Sequence, residues 1–138
     1  METKFNFKSA ICTSRSQSEA LLKLGLKPET ADMVHIYLNQ WDGWYVRPLD
    51  VDESIHHMEI PAWSLHRLIE MMPNNIHKYN DIADLSVSNE LVQYRFYDVD
   101  YNHDVCLEHF NGGTLYDNII DCIEWLIKEG YFNKEYLV

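Results

Sequence analysis

Between Thr114 and Gly130 the chain reads "TLYDNIIDCIEWLIKEG", and this stretch restricts the possible folds more than any other. Leu115, Ile119, Ile120, Ile123, Leu126 and Ile127 recur at helical spacing and form a stripe too wide to leave in water. Both ends are marked. Thr114 can cap the first turn, with Asp117 at the third position where negative charge suits the helix dipole, and Gly130 can take the left-handed conformation that ends the helix. A helix with such a face needs a broad apolar surface to lie on, and the rest of the chain has to supply it.

Two shorter helices are written in the same way. In "TSRSQSEALLKLGLKP", Ser14 and Gln17 have capping-box spacing, and Ala20, Leu21 and Leu24 share a face. Gly25 is placed to end that helix, Leu26 to fold back onto Leu21, and Pro28 to forbid continuation. In "IPAWSLHRLIEMMP", Ser64 is the N-cap, Trp63 can staple onto Leu68, and Pro73 stops the helix. Leu65, Leu68, Ile69 and Met72 follow one narrow apolar face. Such a helix has about two turns and is unstable alone in water, so it has to lie on something. Trp63 therefore has a structural task.

Strands account for most of the remainder. "MVHIYL" sets Val34, Ile36 and Leu38 against His35 and Tyr37, the alternation of a half-buried strand. Asp42-Gly43 is a preferred two-residue hairpin turn, which would set Trp41 directly opposite Trp44. "LVQYRFYDV" alternates Val92, Tyr94 and Phe96 with Gln93 and Arg95; "VCLEHF" alternates more weakly, and "DLSVS" precedes them with Ser88-Asn89 in its turn. The tail "YFNKEYLV" is aromatic enough to dock. The expected fold is a single α+β domain over residues 1–138, with a mainly antiparallel sheet of about five strands and three helices packed on it.

Composition bears on partners. Acidic residues outnumber basic ones 22 to 11, a formal charge of −11, and no basic run exists to neutralise phosphates. Direct nucleic-acid binding and docking on anionic lipid are therefore not expected. The three cysteines are odd in number and form no C-x-x-C pair, so neither a disulfide framework nor a zinc site is expected. The opening "METKFNFKSAIC" lacks the apolar segment of a signal peptide, and no stretch has the length of a membrane span. Cytoplasmic residence is the expectation.

The segments "QSEALLKLGLKPETADM", "IPAWSLHRLIEMMP" and "IIDCIEWLIKEGY", in that order, resemble a family of small acidic proteins from gut anaerobic bacteria and their phage-like or conjugative elements. The resemblance implies an intracellular bacterial or phage-borne protein. The family has no established activity, so no functional residue is carried over.

Among motifs that bear chemistry, "DVDYNHDVCLEH" is the sharpest. Asp98, Asp100, Asn102 and Asp104 alternate like the first oxygen ligands of a calcium loop. His103 stands where such a loop needs glycine, and His109 where it needs a bidentate glutamate, with Glu108 one residue early. The flanks read as strands, so a polar hairpin loop is expected. His56-His57 could chelate only with help from His77, His103 or His109, and no metal-ligand spacing organises them. Neither Cys12 nor Cys106 has a histidine at a defining spacing, and Gly112-Gly113 reads as a strand-to-helix turn. Carboxylates as close in sequence as Asp81 and Asp84 are inevitable in so acidic a chain. No catalytic residue, metal or cofactor is assigned.

The remaining feature is the hairpin tip "WDGWY". A turn projects into water, yet this one carries Trp41, Trp44 and Tyr45, which either anchor a partner or fold back over the sheet. The functional expectation is a non-catalytic module that binds a protein or itself. One alternative is an acidic decoy imitating DNA phosphates, which would need carboxylates regularly spaced on one face. Here they are scattered through loops and helix starts. Another is a metal protein or enzyme centred on residues 98–109.

Overall fold

The structure, a computed structural model, describes residues 10–50 and 58–138. In chain order it forms α1 (Arg15–Lys23), β1 (Met33–Leu38), β2 (Gly43–Pro48), β3 (Ile60–Ala62), α2 (Leu65–Met71), β4 (Asn75–Lys78), β5 (Asp81–Val87), β6 (Val92–Asp98), β7 (His103–Phe110) and α3 (Leu115–Glu129). The architecture is α+β. Two antiparallel sheets, ordered β2-β1-β3 and β4-β5-β6-β7, replace the single sheet of about five strands. The additional strands are β3 and β4, of three and four residues. Alternation over so few residues gives almost no signal. Pro61 further masks β3; it is tolerated because β3 is an edge strand, where Pro61 lies opposite Val34.

The helix ends follow the capping chemistry. Ser14 Oγ accepts from the Gln17 amide at 3.2 Å, and the Ser14 amide donates to Gln17 Oε1 at 2.9 Å. Beyond α1, Gly25 sits at φ 101°; its amide donates to Leu22 O at 3.0 Å and the Leu26 amide donates to Leu21 O at 3.2 Å. This is the paired ending in which Leu26 returns over Leu21, and both side chains are fully buried. Past α3, Gly130 at φ 80° repeats the arrangement, with the Tyr131 amide donating to Leu126 O at 2.8 Å. Nothing lies within 4 Å of a Cβ built on either glycine. Alanine there meets only the left-handed backbone penalty, so Gly25→Ala and Gly130→Ala are each expected to lower unfolding free energy by about 1–2 kcal/mol in denaturant titrations.

At the start of α3, Asp117 joins two helices. Its Oδ1 accepts from Gln17 Nε2 of α1 at 2.8 Å and its Oδ2 from Thr114 Oγ1 at 2.9 Å. The Gln17 bond first, and then the Thr114 bonds, hold its carboxyl below the ordinary carboxylate range. A depressed folded-state pKa gives stability that is present above the unfolded value and lost as pH falls through the folded one. Asp117→Asn is therefore expected to flatten part of the acid limb of a stability–pH curve below about pH 4, the ordinary carboxylate range, and to leave the alkaline limb unchanged.

Trp63 lies at the centre of the core with none of its surface exposed. Its indole Nε1 donates to Thr30 Oγ1 at 3.0 Å and its amide to Thr13 Oγ1 at 3.1 Å, while its carbonyl accepts from the Thr13 amide at 2.9 Å. Next to it, the Ser64 amide donates to Asp32 Oδ1 at 2.8 Å, and Arg67 Nε donates to Thr30 O at 2.7 Å. Residues 63–67 are thus tied to segments 13 and 30–32, and the short helix α2 is held by what surrounds it. Leu68 is fully buried in the same cluster as Trp63, and Met71, outside the expected stripe, joins them. The tail docks as expected: Phe132 is buried, Val138 N donates to Gly25 O at 2.8 Å, and Lys27 N donates to Tyr136 O at 2.8 Å.

The hairpin exists, but its turn is longer than expected. Residues 39–41 form a 3₁₀ turn, the Asp42 amide donates to Asn39 O at 3.2 Å, and Gly43 already pairs with Leu38. A two-residue turn needs positive φ at both central positions; here Asp42 alone, at φ 46°, provides the left-handed step, and a helical turn provides the rest. Trp44 therefore faces Tyr37, and Trp41 lies in the loop, not opposite Trp44.

Candidate functional site

The β1–β2 hairpin brings the aromatic residues of "WDGWY" together with Tyr37. Tyr37 and Trp44 meet edge to face with ring centroids 5.6 Å apart, and Trp41 and Tyr45 likewise at 5.1 Å. Successive strand residues point to opposite faces, so Trp44 and Tyr45 make the hairpin aromatic on both sides. From α1, the Arg15 guanidinium carbon sits 4.5 Å from the Trp44 ring centroid. The Tyr37 hydroxyl donates to the Asp42 carboxylate across the loop, and this bond raises the phenol's pKa. Despite these contacts the rings stay open to solvent: Trp41 is 62% exposed, Tyr45 41% and Trp44 37%.

The chain matches no family model, no curated protein and no solved structure. The hairpin's chemistry therefore has to speak for itself. Trp, Tyr and Arg are the residues that most often dominate protein interfaces; Trp and Tyr bury large area with few rotatable bonds, and Arg adds a charged planar group that stacks on their rings. Their mutual stacking restrains them before any partner arrives, which lowers the ordering cost of binding.

Residues 98–109 have a different organisation. Asp98 ends β6, and its Oδ1 accepts from the amides of Asp100 at 3.0 Å and Tyr101 at 3.2 Å. Asn102 is left-handed at φ 55°, and its side-chain oxygen accepts from the Tyr97 hydroxyl. Asp104 lies 3.7 Å from Arg95. These oxygens build a hairpin turn and do not converge on one point. Among the described residues no three His, Cys, Asp or Glu side chains group as a metal set. His77 lies on β4, and His103 and His109 near opposite ends of β7. His56 and His57 lie outside the described residues.

Other sequence candidates are occupied by the fold. Gly113 N donates to the buried Asn118 Oδ1 at 2.9 Å, so the amide before α3 caps a side chain. Asp84 stands opposite Arg95 on β6, while Asp81 starts β5. His35 was not singled out by sequence, yet it is buried and its Nε2 donates to Thr13 O at 2.8 Å. It borders a cleft of about 800 Å³ with Cys12, Ser14, Gln17, Leu65 and Tyr116. There the Tyr116 hydroxyl donates to Ala10 O at 3.1 Å and Gln17 is engaged by Asp117. The sequence reading also passed over Tyr79, Val99 and Tyr101, which project from the β4–β5 and β6–β7 turns. For the two tyrosines the only signal was an aromatic residue set among turn formers, and Val99 had none.

The three cysteines are unpaired, with Cys12 and Cys122 buried and Cys106 exposed. Burial pushes the Cys122 thiol up to about 12. Burial and then Asp32 raise Cys12; burial and then Glu108 raise Cys106. None is held as a thiolate. A disulfide reagent at neutral pH is expected to modify Cys106 first and the other two only as the protein unfolds; three fast thiols in native protein would contradict this packing.

Proposed function

We propose that the protein is a non-catalytic binding module that engages a protein partner, a second copy of itself included, through the β1–β2 hairpin. The observation that carries the reading is the solvent-open set of Trp41, Trp44 and Tyr45, with Arg15 stacked on Trp44. Its work lies inside a bacterial cell, as part of a phage-like or mobile element. The sequence resemblance and three unpaired cysteines support that placement. The acidic surface favours a partner with basic groups around its contact region and speeds their encounter. Among the described residues no helix is long and apolar enough to cross a membrane.

The test pairs affinity capture from a bacterial host extract with sedimentation over a range of concentrations. Wild type is expected to capture a partner or to self-associate, and Trp41→Ala/Trp44→Ala to lose that association while remaining folded. Both measurements are made in metal-free buffer, where an association that survives the double substitution would overturn the reading.

A further inference from the structure

We propose that Cys106 and His109 form one half of a zinc site, which the same pair from a second copy of the chain completes. The inference uses a surface other than the hairpin and does not depend on it. In a regular strand, residues three apart point to opposite faces. Here the pairing of β6 with β7 shifts: Tyr94 stands opposite Glu108 but Arg95 opposite Cys106, leaving Leu107 as an extra residue. That bulge turns the alternation over once. His109, opposite Gln93, and Cys106, opposite Arg95, therefore share the outer face of the sheet.

The bulge brings Cys106 Sγ to 3.8 Å from His109 Nδ1, with both residues exposed. Zinc bonds to thiolate sulfur at about 2.3 Å and to imidazole nitrogen at about 2.0–2.1 Å, and a tetrahedral angle between them sets sulfur and nitrogen roughly 3.6 Å apart. The two atoms already stand within a few tenths of an ångström of one edge of that tetrahedron. Zinc needs two further ligands, and among the described residues this chain brings no third metal-binding side chain to them. A twofold axis supplies an identical sulfur and nitrogen, giving a Cys2His2 set from a self-complementary contact. Access is open because β7 is the edge strand of its sheet. The Arg95 guanidinium beside Cys106 is directed to Asp104 at 3.7 Å, which offsets its charge. On binding, each thiol releases its proton to solvent and each sulfur donates an electron pair to the metal, so two thiolates balance the dication.

The experiment uses the full chain, reduced and freed of metal, titrated with zinc chloride during sedimentation, and with cobalt(II) chloride during absorption spectroscopy. The expected result is a doubling of mass that saturates near one metal per two chains, with a thiolate-to-cobalt charge-transfer band and the strong visible bands of tetrahedral cobalt. Cys106→Ser and His109→Ala should each abolish both signals, with thermal midpoints close to wild type because both side chains are exposed. Trp41→Ala/Trp44→Ala should retain both signals, which separates this inference from the hairpin reading. A chain that stays monomeric with zinc, one metal per chain without doubling, or a dimer that survives both single substitutions would overturn it.

Discussion

Replacing Trp63 by alanine is expected to remove a large share of the protein's unfolding free energy. The residue is fully buried, and large aromatic-to-alanine changes in cores cost about 3–5 kcal/mol. Domains of this size have about 5–15 kcal/mol in total, so the loss removes much of what holds the fold. The cavity would open where α1, β3 and α2 meet the core. It would also strip the indole donor from Thr30 Oγ1, although that hydroxyl keeps its own bond to Lys27 O at 2.6 Å. Trp63→Phe isolates the polar part: most of the ring volume stays and one buried hydrogen bond goes, at about 1–2 kcal/mol. Chemical denaturation of both variants checks the ordering. A Trp63→Ala protein within 1 kcal/mol of wild type, by the same criterion, would mean that the side chain is not the keystone described here.

The hairpin tryptophans should behave in the opposite way. Trp41→Ala removes a ring that is 62% exposed and should change unfolding free energy by roughly 0.5 kcal/mol or less, whereas losing Trp44, 37% exposed and in contact with Tyr37 and Arg15, should cost about 1 kcal/mol, still far below Trp63. Trp44→Ala also frees Arg15 from its ring contact, itself worth about 0.5–1 kcal/mol at an exposed site. Partner affinity, by contrast, should fall about 30-fold or more per residue, since interface hot spots cost 2 kcal/mol or more when truncated. Calorimetric titration or sedimentation of the association, beside thermal melts of the same samples, separates the two effects. Loss of stability in step with loss of binding would place these rings in the fold instead.

The contrast between these tryptophans shows where sequence was informative. Helix ends were legible because capping is local chemistry: Ser14 with Gln17, Ser64, Thr114 with Asp117, Gly25 and Gly130 all occupy the positions their residue types favour. Strands with several alternating residues, such as β6, were legible for the same reason. What escaped depends on distant partners. Pro61 is a strand residue only because Val34 lies across from it, and Ile76 is the sole buried residue of β4. The division into two sheets is a property of pairing, which alternation does not encode. The hairpin loop went astray because Asp42-Gly43 is compatible with two turn types, and a helical turn through residues 39–41 decided between them. At the candidate site, the residue types were visible in sequence while their exposure and stacking were not. The approach of Cys106 to His109 was hidden altogether, since a spacing of three has meaning in a strand only when a bulge intervenes.

The division of labour among the aromatic residues is tested most directly by hydroxyl-radical footprinting of the intact protein, alone and in association. In the free protein Trp41, Trp44 and Tyr45 should oxidise rapidly and Trp63 should be protected. On association, protection should spread to the three hairpin residues and leave Tyr79 and Tyr101 as reactive as before. Hairpin residues protected already in the free chain, or equally reactive with and without the partner, would contradict the account.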